Sequence, residues 1–238
     1  MTEEKSFKKR VKDEIINGAK IYKENFVDYE YLICSEAFTA KEFYTIDAKE
    51  DNYQHLTGVN SLIASKDFFN KSYDKTLQES DFDFNKRGQS EKSVKGSVRR
   101  KISVLPNIIH IFENGTLVEE NLIKNQIKCS FATTDKKCTL GFIDLTKSRP
   151  MSLLKGDEID NTKAKNIDLL LRKHISKDKF NEIIIGDFVA LQKYRENIEA
   201  FLDEKIITEL DKMKVLLVKQ ELQEAQEQVA SGEYVRPL

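Results

Sequence analysis

The sequence predicts an α+β fold in which N-terminal helices pack on a mainly antiparallel sheet and a long C-terminal helix follows. Three observations predict it. Apolar residues near the N-terminus recur at helical spacing, the middle of the chain is a series of short β-branched and aromatic runs separated by turn residues, and the last fifth steps by threes and fours. A chain of 238 residues is long enough to bury a real core. Its 33% charged and 39% hydrophobic content is ordinary globular composition with a polar surface.

The elements follow in order. Val11, Ile15, Ala19, Tyr22 and Phe26 lie on one stripe, which predicts a helix from about Phe7 to Asn25. Tyr29 to Phe38 and Phe43 to Ile46, separated by the polar Thr39-Ala40-Lys41, read as a strand pair. His55-Leu56-Thr57-Gly58-Val59 reads as an extended strand or loop edge, because Gly58 frees the backbone just before an apolar residue. A helix begins near Ser65, its expected N-cap, with Phe68, Phe69 and Tyr73 as candidates for burial. Asp81 to Ser93, polar and containing Gly88, reads as a loop.

Val94 to Asn114 contains Pro106, which cannot sit within an unbroken helix, so two short helical pieces are expected. Thr116 to Val118, Ile127 to Thr133, Cys138 to Leu145, Ile167 to Leu171 and Glu182 to Ile185 read as strands. From Ala190 the residues Leu191, Tyr194, Ile198, Leu202, Ile206, Leu210, Met213 and Leu217 form an apolar stripe with no Gly or Pro until Gly232. The expected boundary is Gly186-Asp187, giving a domain over 1–186 and a charged helix with a short tail over 187–238. That helix either lies back on the core or forms a homodimer through Leu191 to Leu217.

Composition narrows the function classes. Net charge is −1, which argues against a surface that is basic all over but leaves a local patch open. Cys34, Cys129 and Cys138 have no metal-ligand spacing, and an odd count makes a poor disulfide framework, so a reducing compartment is expected. Met1 to Arg10 is charged rather than a signal peptide, and no apolar run reaches spanning length. The expectation is a cytoplasmic protein with no membrane partner. No Walker loop, dinucleotide fingerprint, Gly-x-Ser-x-Gly elbow or kinase signature occurs, and neither a cofactor nor a metal is expected.

Two features carry chemistry. On an extended segment His55 and Thr57 point to the same side, presenting an imidazole and a hydroxyl together; a hydrogen-bonded structural histidine is the bland alternative. Arg99-Arg100-Lys101 offers guanidinium and ammonium groups to a phosphate or oxyanion, against the alternative of a solvated helix face. His110, inside Ile108 to Phe112, is expected in the core, and His174 on the surface.

Asn52-Tyr53-Gln54-His55-Leu56-Thr57-Gly58-Val59, Lys66-Asp67-Phe68-Phe69, Asp81-Phe82-Asp83-Phe84 and Arg100-Lys101 together resemble the phage-associated branch of the barnase/EndoU/colicin/RelE-like nuclease superfamily. Thr139 to Phe142 and Arg149-Pro150-Met151-Ser152-Leu153-Leu154 resemble its later strands, so the similarity runs from about Phe26 to Ile185. The resemblance implies metal-independent RNA cleavage by 2′-hydroxyl attack in a bacterial host cell, with RNA, tRNA among it, as partner. It implies His55 as acid or base, Thr57 orienting phosphate or imidazole, and Lys101 with Arg100 and Arg99 on the charge. It also implies Ser152 or Thr133 closing the site and Tyr44 as a stacking platform or second proton group. The quoted motifs hold no second histidine and no obvious carboxylate partner for His55, so the second proton-transfer role is unassigned. A non-catalytic member that inhibits a host defence or translation factor is the alternative.

Overall fold

The computed structural model describes residues 6–124 and 127–230. Helix α1 (Phe7–Tyr22) starts where the Ser6 hydroxyl accepts from the Lys9 amide, and it runs into a π-helical turn over Lys23–Val27. That wider turn keeps Phe26 stacked on Tyr22, and all five residues of the sequence stripe are buried. Strands β1 (Tyr29–Cys34) and β2 (Tyr44–Asp47) pair antiparallel as expected. Next come α2 (Tyr53–Thr57), β3 (Asn60–Ser61), α3 (Ser65–Tyr73), β4 (Phe82–Asp83) and α4 (Glu91–Val104). Pro106 ends α4 in a 3-10 stretch, Leu105–Phe112, so the two-piece expectation holds.

The strand-rich half contains β5 (Leu117–Glu120), β6 (Ile123–Lys124), β7 (Ile127–Lys128), β8 (Phe131–Thr134), β9 (Cys138–Ile143) and β10 (Arg149–Lys155). It continues with β11 (Lys165–Asn166), β12 (Leu169–His174) and β13 (Glu182–Ile185), and the chain ends in α5 (Phe188–Ile198) and α6 (Glu204–Ala230). A four-stranded sheet has the order β13-β12-β1-β2 and a five-stranded sheet the order β10-β9-β8-β5-β11, both antiparallel throughout. They meet where the Asp47 amide donates to the Ser148 carbonyl at 2.9 Å and the Ser148 amide to the Thr45 carbonyl at 2.7 Å. The fold is α+β, as the sequence predicts.

Strand β1 shows how the layers form. Tyr31 and Ile33 face the core under the N-terminal helices, while Leu32 and Cys34 face a second apolar cluster with Leu191, Tyr194, Ile198, Leu202, Ile206 and Leu210. Both faces of this sheet are therefore covered, and the start of the C-terminal helical segment lies back on the core. The expected unbroken helix is interrupted: a 3-10 turn, Glu199–Phe201, and the extended Leu202 separate α5 from α6. Leu202 there makes a bridge with Phe180, an attraction that sequence periodicity cannot register. Beyond Leu210 the helix exposes Met213, Val215, Leu216, Val218 and Leu222; the Leu217 side chain and Gly232 lie outside the described residues.

Five local expectations need correction. Gln54 to Thr57 is helical rather than extended, because Tyr53 and Leu56 both find buried space at helical spacing. Ala64, not Ser65, is the N-cap of α3, and Tyr73 is exposed. The stretch read as a loop contains β4 and the first turn of α4. His110 lies at the surface with Nδ1 2.7 Å from Glu113 Oε1, because the 3-10 geometry turns it away from the core that takes Ile108 and Ile111.

Candidate active site

A cleft of about 550 Å³ opens where α2, α4, β10, β7 and the Asn85–Gln89 loop converge. Residue spacing explains which side chains reach it. On α4, Val94, Ser97 and Lys101 share one face and line the cleft, whereas Arg99 and Arg100 are turned off it. Arg99 instead lies over the Phe7 ring at 5.3 Å, and Arg100 is exposed. On β10, a register shift between Pro150 and Ser152 lets the consecutive Met151 and Ser152 both line the cleft.

Helix α2 is held by Tyr53, whose ring is fully buried and whose hydroxyl donates to the Ile15 carbonyl of α1. It ends at Gly58, in the left-handed region at φ +79°. A side chain at Gly58 would be strained, and its Cβ would come within 2.8 Å of Lys101 Cδ, so glycine lets the lysine stem lie along the backbone. Lys101 Nζ then donates to the His55 carbonyl at 2.8 Å, and His55 itself lies at the exposed mouth of the same cleft.

The electrostatics are one-sided. His55, Lys86, Arg87, Lys101 and Lys128 line the cleft, and among the described residues no carboxylate does. Burial, followed by the Lys86 charge, pushes Lys101 down to about 8. His55 also falls below its ordinary value, first because the cleft walls remove part of its hydration and then because Lys101 and Lys86 are near. Burial likewise lowers Lys86. Uncompensated cations at this density repel one another, and an anion in the cleft relieves that cost. The described residues contain no group of three or more His, Cys, Asp and Glu positioned to hold a metal ion.

The structure thus brings together His55, Lys101 and Ser152 from the expected set. Thr57 is fully buried beside the cleft, and its hydroxyl donates to the Gln54 carbonyl at 2.7 Å, so on a helix it does not share the imidazole's face. Tyr44 is buried rather than exposed, with its hydroxyl donating to Glu120 at 2.7 Å and its ring against Phe131. Thr133 is fully enclosed in β8 away from the cleft. Sequence reasoning missed Lys86, Arg87 and Lys128; the available signal was the basic Lys86-Arg87-Gly88 at the tip of the polar loop.

A cationic cleft on an α+β scaffold, lined by a histidine and a lysine, has the form of a phosphate-handling protein of the nuclease class. The chain belongs to the family described as phage-Barnase-EndoU-ColicinE5/D-RelE like nuclease4, whose model matches residues 14–187 and so includes every cleft residue named above. The match begins earlier than the motifs alone indicate, taking in most of α1. No curated protein and no solved structure matches the chain. No helix among the described residues is long and apolar enough to cross a membrane.

Proposed function

We propose that this protein is a phage- or prophage-linked endoribonuclease that cleaves RNA by 2′-hydroxyl transesterification without a metal ion. The observation that carries the reading is the placing of His55 and Lys101 in one cleft whose described lining has five cationic or imidazole side chains and no carboxylate. A lining without carboxylates offers poor ligands for a divalent ion and good ones for a phosphodiester. The depressed His55 is neutral near pH 7 and suits the general base, taking the 2′-hydroxyl proton as oxygen attacks phosphorus. Lys101, near 8, is mostly protonated at the same pH and supplies the role that the sequence leaves unassigned. It stabilises the charge on the pentacoordinate state and donates a proton to the departing 5′-oxygen. The 2′-oxygen–phosphorus bond forms, the phosphorus–5′-oxygen bond breaks, and a 2′,3′-cyclic phosphate results. Lys86, Arg87 and Lys128 hold the flanking phosphates, and Ser152 closes the floor.

The second reading, a non-catalytic protein that occupies a host defence or translation factor, rests on the exposed Val215, Leu216, Val218 and Leu222 of α6. One experiment separates the two. Purified protein is incubated with total bacterial RNA and tRNA in excess chelator, comparing wild type with His55→Ala and Lys101→Ala. Chelator-resistant cutting that falls by a factor of about 100 to 10,000 in each variant is the expected result. RNA left intact by all three proteins overturns the nuclease reading in favour of the binding protein.

A further inference from the structure

The cleft carries a fixed pattern of amide groups that the cleavage chemistry does not use. Asp83 on β4 sits opposite Asn60 on β3 in the strand register. Its Oδ1 accepts from Asn60 Nδ2 at 2.8 Å and from the Asn85 amide at 2.9 Å, and its Oδ2 from Asn85 Nδ2 at 3.1 Å. An ionised carboxylate accepts only, so each asparagine must present its nitrogen to Asp83 and its carbonyl oxygen elsewhere. These bonds, that of Asn60 foremost, hold the Asp83 carboxyl below its usual range and keep it ionised. Both asparagines line the cleft that contains His55 and Lys101. On its other side the Ser65 hydroxyl donates to Gln54 Oε1 at 2.7 Å, which leaves Gln54 Nε2 as a donor in the same cleft.

The pattern is one oriented donor and two oriented acceptors. The Ser97 and Ser152 hydroxyls either donate or accept and carry no code. Among the described residues no hydrogen bond fixes the Gln89 side-chain carboxamide; only the Gln89 backbone N–H is held, donating to the Lys86 carbonyl at 3.1 Å. Among the four RNA bases, guanine alone presents two donor groups and one acceptor on its Watson–Crick edge. Uracil and cytosine present one donor group and two acceptors, and adenine one of each. Splayed single-stranded bases are read on that edge.

We propose that Gln54, Asn60 and Asn85, with the two asparagines oriented by Asp83, form a guanine-reading subsite beside the His55–Lys101 pair. This rests on the cleft being the RNA site proposed above. It requires a single-stranded or unpaired guanosine at the cleavage position, because the edge that is read is the edge used in base pairing.

The test measures binding rather than cleavage, with the full chain and the four nucleoside 3′-monophosphates, none of which the enzyme can cut. Isothermal titration is expected to show 3′-GMP binding about tenfold or more tighter than 3′-UMP. Asn85→Ala, at an exposed position, is expected to remove most of that preference by weakening 3′-GMP binding more than 3′-UMP binding. Equal affinity for all four, a preference for another base, or a guanine preference that survives Asn85→Ala overturns the proposal and leaves the phosphate site standing. Failure of all four to bind overturns the proposal together with the site it depends on.

Discussion

Two of the hollows in this molecule are of similar size and differ in how their charges are balanced. The larger, about 650 Å³, lies between β2, the Asp144–Lys147 turn and the C-terminal helices. Its lysines are matched: Lys41 pairs with Asp144, while Lys147 and Lys173 lie 2.7 Å and 3.1 Å from the Glu30 carboxylate. The cleft that holds His55 and Lys101 has comparable space and, among the described residues, no lining carboxylate. Volume therefore does not distinguish a site from a seam between layers, whereas uncompensated charge does. A paired hollow is complete as it stands, and an unpaired one is completed by a ligand.

The largest contrast comes from removing one lysine from each hollow. Lys101→Met is expected to reduce RNA cleavage about 1,000-fold, and Lys147→Met to leave it within about twofold. Stability should move the opposite way. Lys101 is held at about 8 in the folded chain, below its ordinary 10.5, so the unfolded state binds more protons between those values and wild-type stability rises with pH across that window. At pH 7 the buried charge is a cost only partly offset by its bond to the His55 carbonyl. Lys101→Met should then gain about 1 kcal/mol in urea unfolding, a gain that shrinks as pH rises from 8 toward 10.5. Lys147→Met should lose at most about 1 kcal/mol, since Lys173 still faces Glu30. A destabilised, active Lys101→Met would erase the distinction between the hollows.

The pH dependence of cleavage is the next sharpest probe, with changes of about tenfold per unit on each limb. Activity should rise as His55 loses its proton, at a pH below the ordinary imidazole value because cleft burial and the neighbouring lysines lower it. It should fall again above about 8 as Lys101 loses the proton that the proposed mechanism assigns to the leaving oxygen. Lys101→Arg keeps the charge but not the titration, so any residual activity should lose the falling limb. A falling limb that persists unchanged in that variant would assign it to another group.

Much of this fold is legible in the sequence, and the reasons are local. The α1 stripe, the β1–β2 pair and the Pro106 break each follow from spacing within one segment. The candidate site is legible only where one residue suffices. His55 and Lys101 stand out by type, but Lys86, Arg87 and Lys128 reach the cleft through a loop and a two-residue strand whose placement depends on long-range contacts. Tyr44 and Thr133 mislead for the converse reason. Both look like surface strand residues by type, yet each lies on a strand whose neighbours bury it. The His55-x-Thr57 pair is the clearest case, since its face-sharing logic is sound for a strand and fails on a helix, where residues two apart diverge.

That divergence sets the smallest expected effect. Thr57 is fully buried, its hydroxyl is committed to the Gln54 carbonyl, and valine has nearly its shape. Thr57→Val should cost about 1 kcal/mol in urea unfolding, the net contribution of one hydrogen bond, because the Gln54 carbonyl still accepts from the Gly58 amide at 3.4 Å. Cleavage measured well below the unfolding midpoint should stay within about twofold of wild type, in contrast to the losses at His55 and Lys101. A drop of 100-fold or more with the fold intact would mean that Thr57 turns its hydroxyl toward the substrate, returning it to the site from which its helical position removes it.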